Sequence, residues 1–84
     1  MSVADVVAKR IMKLCKQRTI STNKLATMSG VSQSTLASIL NGSVDSPKLD
    51  TVMKIAIGLN MSVLEFLDDP EIVMYSFEDS EEAE

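Results

Sequence analysis

An all-α fold is what this 84-residue sequence predicts, and three observations carry that reading. Apolar residues recur at steps of three and four along most of the chain, the period of a helix with one face buried. Aromatic residues make up only 4% of the sequence, so the core must be built from Leu, Ile, Val, Met and Ala, which suits helix against helix. Serines stand where the periodic segments begin, and Gly or Asn stands where they end. A chain of this length builds one core and one compact domain.

The first helix is set by Val3, Val6, Val7, Ile11, Leu14 and Cys15, which form one stripe with Lys9, Arg10, Lys13 and Lys16 off it. A break falls near Arg18-Thr19. Ser21 then caps a second helix that buries Leu25 and Ala26, with Met28 as a further candidate, and Gly30 ends it by turning left-handed. Ser32 is placed to cap a third helix from Gln33 to about Leu40, with Leu36, Ile39 and Leu40 inward and Gln33, Ser34, Thr35 and Ser38 outward. Asn41-Gly42 stops it, and residues 43–48 read as a loop because Pro47 disfavours helix at Ser46. The fourth helix takes Leu49 to Leu59 with Leu49, Val52, Ile55, Ala56 and Leu59 as its core stripe, which leaves Met53 and Ile57 on a neighbouring, exposed face. Asn60 closes it. Ser62-Val63-Leu64-Glu65 is a capping box for a fifth helix, with Met61 and Phe66 as its hydrophobic staple. The apolar run from Ile72 to Phe77 is too short for periodicity to separate helix from strand. The acidic residues 78–84 repel one another and should be disordered.

Charge divides the chain unequally. All eight Lys and Arg lie within residues 1–67, against four acids there, whereas residues 68–84 carry eight acids and no base. A mildly basic body with an acidic tail is compatible with a polyanionic partner without requiring one. No apolar run is long enough for a membrane span, and the N-terminus lacks the charge and hydropathy order of a signal peptide, so a cytoplasmic protein is expected. With a single cysteine and no histidine, neither a disulfide nor an ordinary metal site can be assembled, and no cofactor or small-molecule ligand is evident. General acid-base or nucleophilic chemistry would have to rest on acids and Lys alone, so the sequence reads as no enzyme. Cys15, on the apolar stripe, reads as a small buried hydrophobe, and most of the methionines read as core filler.

Residues 22–41 combine two short helices, a tight glycine turn at Gly30, a small Ala26 where the helices cross, and Val31, Leu36 and Ile39 as anchors from below. That joint spacing meets the demands of a helix-turn-helix, with residues 33–40 as its second, outward-reading helix. The sequence also resembles the phage Cro and repressor type helix-turn-helix domains, the xenobiotic-response-element family, over residues 6–69. The likeness rests on Arg10-Ile11-Met12-Lys13-Leu14, on Leu25 through Leu36, on Ile39-Leu40-Asn41-Gly42, on Pro47, and on Lys54-Ile55-Ala56 through Leu59 to Leu67. The resemblance implies a lambda-repressor-like domain of five helices over residues 1–69, binding double-stranded DNA as a homodimer at palindromic operators and regulating transcription. By position it makes Gln33, Ser34 and Ser38 base-reading residues and Thr22 a phosphate contact, with Asn41, Ser43 and Lys48 where backbone contacts fall.

Ser32 and Thr35 complete the candidate set, since hydroxyls at a recognition helix can meet phosphates, base edges or a thymine methyl. Gln33 has the amide chemistry for bidentate bonding to adenine N6 and N7 in the major groove. Two features depart from the family pattern. Cys15 and Leu40 stand where many members pair an Arg with a Glu, a change that apolar contact can absorb because desolvating an ion pair is expensive. The loop after the third helix offers Ser43, Val44 and Asp45 instead of bases, which thins the phosphate-binding charge to Lys48. That thin footprint keeps an alternative open, a protein-interaction or antitoxin-like regulatory module with weak DNA binding. Residues 70–77 are the candidate dimerisation element, set near Met53 and Ile57.

Overall fold

Ser2 starts the molecule's first helix by a reciprocal cap. Its hydroxyl accepts from the Asp5 N–H at 3.2 Å while its own N–H donates to Asp5 Oδ2 at 2.8 Å. From there the computed structural model, which describes residues 1–77, runs through α1 (Val3–Arg18), α2 (Thr22–Ser29), α3 (Gln33–Leu40), α4 (Leu49–Gly58), α5 (Val63–Leu67) and α6 (Pro70–Val73). The acidic residues 78–84 lie outside the described residues.

Three helices end by the same device. After α1, α2 and α4 a left-handed residue, Thr19 (φ 58°), Gly30 (φ 72°) or Asn60 (φ 60°), reverses the chain. The next N–H in each case reaches back to a carbonyl of the last turn, Ile20 to Cys15, Val31 to Ala26 and Met61 to Ala56, at 2.9–3.1 Å. Each reversal therefore satisfies carbonyls that the helix end would leave orphaned, and it sets the angle at which the next helix leaves.

All five longer helices contribute to one core. Ala4, Val7, Ile11, Leu14 and Cys15 of α1 meet Leu25 and Ala26 of α2, Val31, Leu36 and Ile39 around α3, Val52, Ile55, Ala56 and Leu59 of α4, and Phe66 of α5. Phe66, Ile11, Leu25, Ile55 and Leu59 are fully buried, and each stabilises the fold by about 1.5–3 kcal/mol relative to an exposed side chain. Met61 and Leu40 are partly buried against that core, and the capping box at Ser62 and Glu65 forms as its sequence predicts.

Two expected core residues lie outside. Leu49 is 67% exposed: it opens α4, and the buried residues of that helix begin only at Val52. Met28 is 44% exposed. The buried arc of α2 is centred between Leu25 and Ala26, and the helical period brings Ser29, not Met28, onto it.

Of the run left open by periodicity only Ile72 and Val73 are helical, closing α6, a single turn with Asp69 as N-cap and Pro70 at its first position, while Met74 to Phe77 continue as neither helix nor strand. This segment packs on α1. Asp69 is buried there between Lys13, at 3.0 Å, and Arg10, at 3.9 Å, while Lys9 bonds Glu71 at 3.3 Å. Arg10 also donates to the carbonyls of Phe66 (2.8 Å) and Glu65 (2.9 Å), and the Tyr75 hydroxyl donates to the Met1 carbonyl at 2.7 Å. Met53 and Ile57, beside which the extension was expected, stay exposed.

Candidate nucleic-acid interface

Gly30 turns the chain out of α2, Val31 enters the core, and Ser32 caps α3 by accepting from the Thr35 N–H at 3.1 Å. These steps decide which residues lead α3. Leu36 and Ile39 are buried, so Gln33, Ser34 and Thr35 are exposed on the opposite side and Ser38 is half-exposed one turn later. α3 carries no charged side chain, and its outward surface is neutral and hydrogen-bonding.

The candidates differ in how far their own chain already engages them. Gln33 makes no side-chain hydrogen bond among the described residues, so its amide keeps every donor and acceptor available. The Ser32 hydroxyl donates to Thr35 Oγ1 at 2.8 Å besides capping the helix, which makes it a structural group first. Ser38 donates its proton to the Ser34 carbonyl at 2.9 Å and retains only acceptor capacity. Asn41 Oδ1 accepts from both the N–H (2.9 Å) and the hydroxyl (2.5 Å) of Ser43, leaving the Asn41 amide N–H groups outward as donors. The turn geometry thus converts Asn41 into a donor suited to phosphate.

Two depressions flank the outward face. A small cleft of about 70 Å³ is bordered by Thr22, Asn23, Gln33, Leu36, Ala37 and Leu40, and so brings Thr22, at the start of α2, beside Gln33. On the other side a groove of about 340 Å³ runs along Thr35, Ser38, Val44, Ser46, Lys48 and Asp50. Lys48 therefore borders the same groove as Thr35 and Ser38, with Asp50 close by. The loop that carries it is tied down by the Ala4 N–H, which donates to the Asp45 carbonyl at 2.9 Å.

Asn23 and Lys16, both outside the sequence-derived set, stand beside Thr22. Asn23 lines the cleft beside Thr22, and Lys16 lines a further groove of about 520 Å³ that reaches Ser21 and Thr22. Their signal was positional: Asn23 follows Thr22, and Lys16 lies off the apolar stripe at the end of α1 that faces the start of α2. Of the eight bases, Lys9, Arg10 and Lys13 are engaged by acids and Arg18 donates to the Leu59 carbonyl. Lys16, Lys24, Lys48 and Lys54 have no ion pair or side-chain hydrogen bond among the described residues. No helix among them is long and apolar enough to cross a membrane.

Comparison with known proteins agrees with this geometry. A family model described as helix-turn-helix matches residues 11–66. The crystal structure of the prophage Lp1 protein 11 is similar, with a TM-score of 0.75 and 30% sequence identity over 82% of this chain and 91% of that one. No curated protein matches.

Proposed function

The chain belongs to the helix-turn-helix family and has its lambda-repressor-like all-α fold, and from that premise we propose that it is a repressor-like transcriptional regulator that reads operator bases through α3 in the major groove. One observation carries the reading. Gln33, Ser34, Thr35 and Ser38 line the outward side of a helix led in by the Gly30 turn, and Gln33 is unengaged at its first position. In this reading Thr22, Asn41, Ser43 and Lys48 hold the phosphates on either side, while Ser32 positions Thr35 and Ser34. A single short helix reads only a few base pairs, so two copies bind a palindromic site with half-sites about one helical turn apart.

The observation that favours the alternative, an interaction or antitoxin-like module with weak DNA binding, is the neutral surface of α3 and the engagement of half the bases within the chain. Selection of bound sequences from random duplex oligonucleotides separates the two. Enrichment of a palindrome is expected, and a pool that stays unenriched through successive rounds overturns the operator reading in favour of the module.

A further inference from the structure

Leu49, Met53 and Ile57 of α4 are 67%, 43% and 71% exposed. They recur every four residues, which places them within about 80° of arc and along about 12 Å of helix. Three large apolar side chains in one row on the solvent side of a short helix form a seam that calls for a covering surface. Nothing among the described residues supplies it. The 70–77 segment packs on α1, and residues 78–84 hold five acids, a Ser and an Ala, with no large apolar side chain to lay on the row.

The flank of the row identifies its occupant. Asp50 and Lys54 each follow a row residue by one position, so both stand on the same side of it. Both are exposed, and neither has an ion pair or a side-chain hydrogen bond among the described residues. On the opposite side of the row lie Val52 and Ala56, which are buried. When two identical helices pair antiparallel about a two-fold axis, like flanks face each other. Centred on Met53, such a pair sets Leu49 against the partner's Ile57 and Met53 against the partner's Met53. Asp50 then comes within about 3 Å, measured along the axis, of the partner's Lys54, and the symmetry makes that charge pair twice. In a parallel pair the charged flank would instead face the Val52 and Ala56 side and gain nothing. The charges therefore favour one occupant and one direction.

We propose that the α4 row is a self-association surface, on which a second copy of this chain docks antiparallel through Leu49, Met53 and Ile57 with reciprocal Asp50–Lys54 pairs. This rests on the homodimer in the reading above and gives it a location. With three apolar side chains per copy, the contact belongs with weak interfaces, populated at high protein concentration in the free protein and reinforced where two half-sites hold the copies together.

Sedimentation equilibrium of the full chain without DNA tests this directly, so its failure leaves base reading by α3 untouched. Wild type should move from monomer to dimer mass as concentration rises into the millimolar range. Asp50→Lys and Lys54→Asp each place like charges across the seam and should lose the dimer. An equimolar mixture of those two chains restores both pairs as a heterodimer, and the dimer mass should return. A folding defect cannot produce that rescue, and a melting curve of each chain checks the fold independently. Ile57→Glu should remain monomeric alone and in every mixture. Monomer mass for wild type throughout, single variants that dimerise as wild type does, or a mixture that stays monomeric would each overturn the proposal.

Discussion

Gly58 has no room for a methyl group. A Cβ placed there would stand 2.7 Å from the Cβ and 2.8 Å from the Cα of Ser29, so the backbones of α2 and α4 touch at this point. Gly58→Ala gains roughly 1 kcal/mol of helix propensity but must push two helices apart, an overpacking that costs about 1–3 kcal/mol. Net destabilisation in urea unfolding is the expected outcome, and an unchanged midpoint would show that α2 can slide. Thr19 is the opposite case: a β-branched residue held left-handed at φ 58° on an exposed helix end. Thr19→Gly should therefore stabilise by about 1 kcal/mol, read as a higher urea midpoint, and a lower midpoint would contradict that account. In α3, Gln33→Ala is predicted, on the proposed reading, to weaken binding to the selected operator by about 1–3 kcal/mol and to relax specificity at one base position, with unfolding unchanged. Loss of affinity that is uniform over all sequences would mean that Gln33 touches only backbone. The outward position of Gln33 was legible in the sequence because Gly30, Ser32 and the buried Leu36 and Ile39 fix the phase of α3 locally. The commitments of Ser32, Ser38 and Asn41 were not, since a short hydroxyl or amide chooses between solvent and its own backbone by angles that sequence does not state.

At the level of elements, boundaries were legible wherever cap and stop residues lie within a few positions of one another, as at Ser21, Gly30, Asn60 and Ser62. α6 was not legible. A four-residue helix has no periodicity, and its anchor, Asp69, finds Lys13 at a separation of 56 residues. Asp69→Ala removes the α6 cap together with the acid facing Arg10 and Lys13, for a predicted loss of about 2 kcal/mol. Asp69→Asn keeps a capping oxygen and should lose less. Burial pushes the Asp69 carboxyl up, but the hydrogen bond and charge of Lys13, the charge of Arg10 and the Glu71 N–H outweigh it and hold the group below the ordinary carboxylate range. A lowered folded-state pKa means that the contribution is complete above the unfolded value near 4 and fades as pH falls through the folded one. Wild type and Asp69→Ala should thus converge in stability toward low pH and differ most at neutral pH. A difference that stays constant over that range would assign Asp69 a capping role alone.

For the molecule as a whole, charge is unevenly placed with respect to any DNA duplex. Residues 1–77 hold eight bases and seven acids, and residues 78–84 add five acids, which brings the net charge to -4. The four bases without an ion pair or side-chain hydrogen bond among the described residues include Lys48 beside α3 and Lys16 near Thr22, so a bound phosphate backbone would meet positive charge locally while the chain as a whole repels it. Deleting residues 78–84 reverses the net charge to +1 without touching any residue of the core. Affinity for random-sequence duplex DNA should then rise, because that binding is almost wholly electrostatic. The gain should be largest at low salt, where the Debye length is about 30 Å at 0.01 M, and should shrink as screening shortens it to about 8 Å at 0.15 M. Operator binding should gain less, since the base contacts proposed for Gln33 do not depend on the tail's charge. A second chain with Gln and Asn in place of the five tail acids separates charge from length and should behave like the truncation. Binding curves to random duplex measured over a salt series for the three proteins, with melting temperatures alongside, decide the matter: coincident curves at the lowest salt would show that the acids do not act on DNA binding at all.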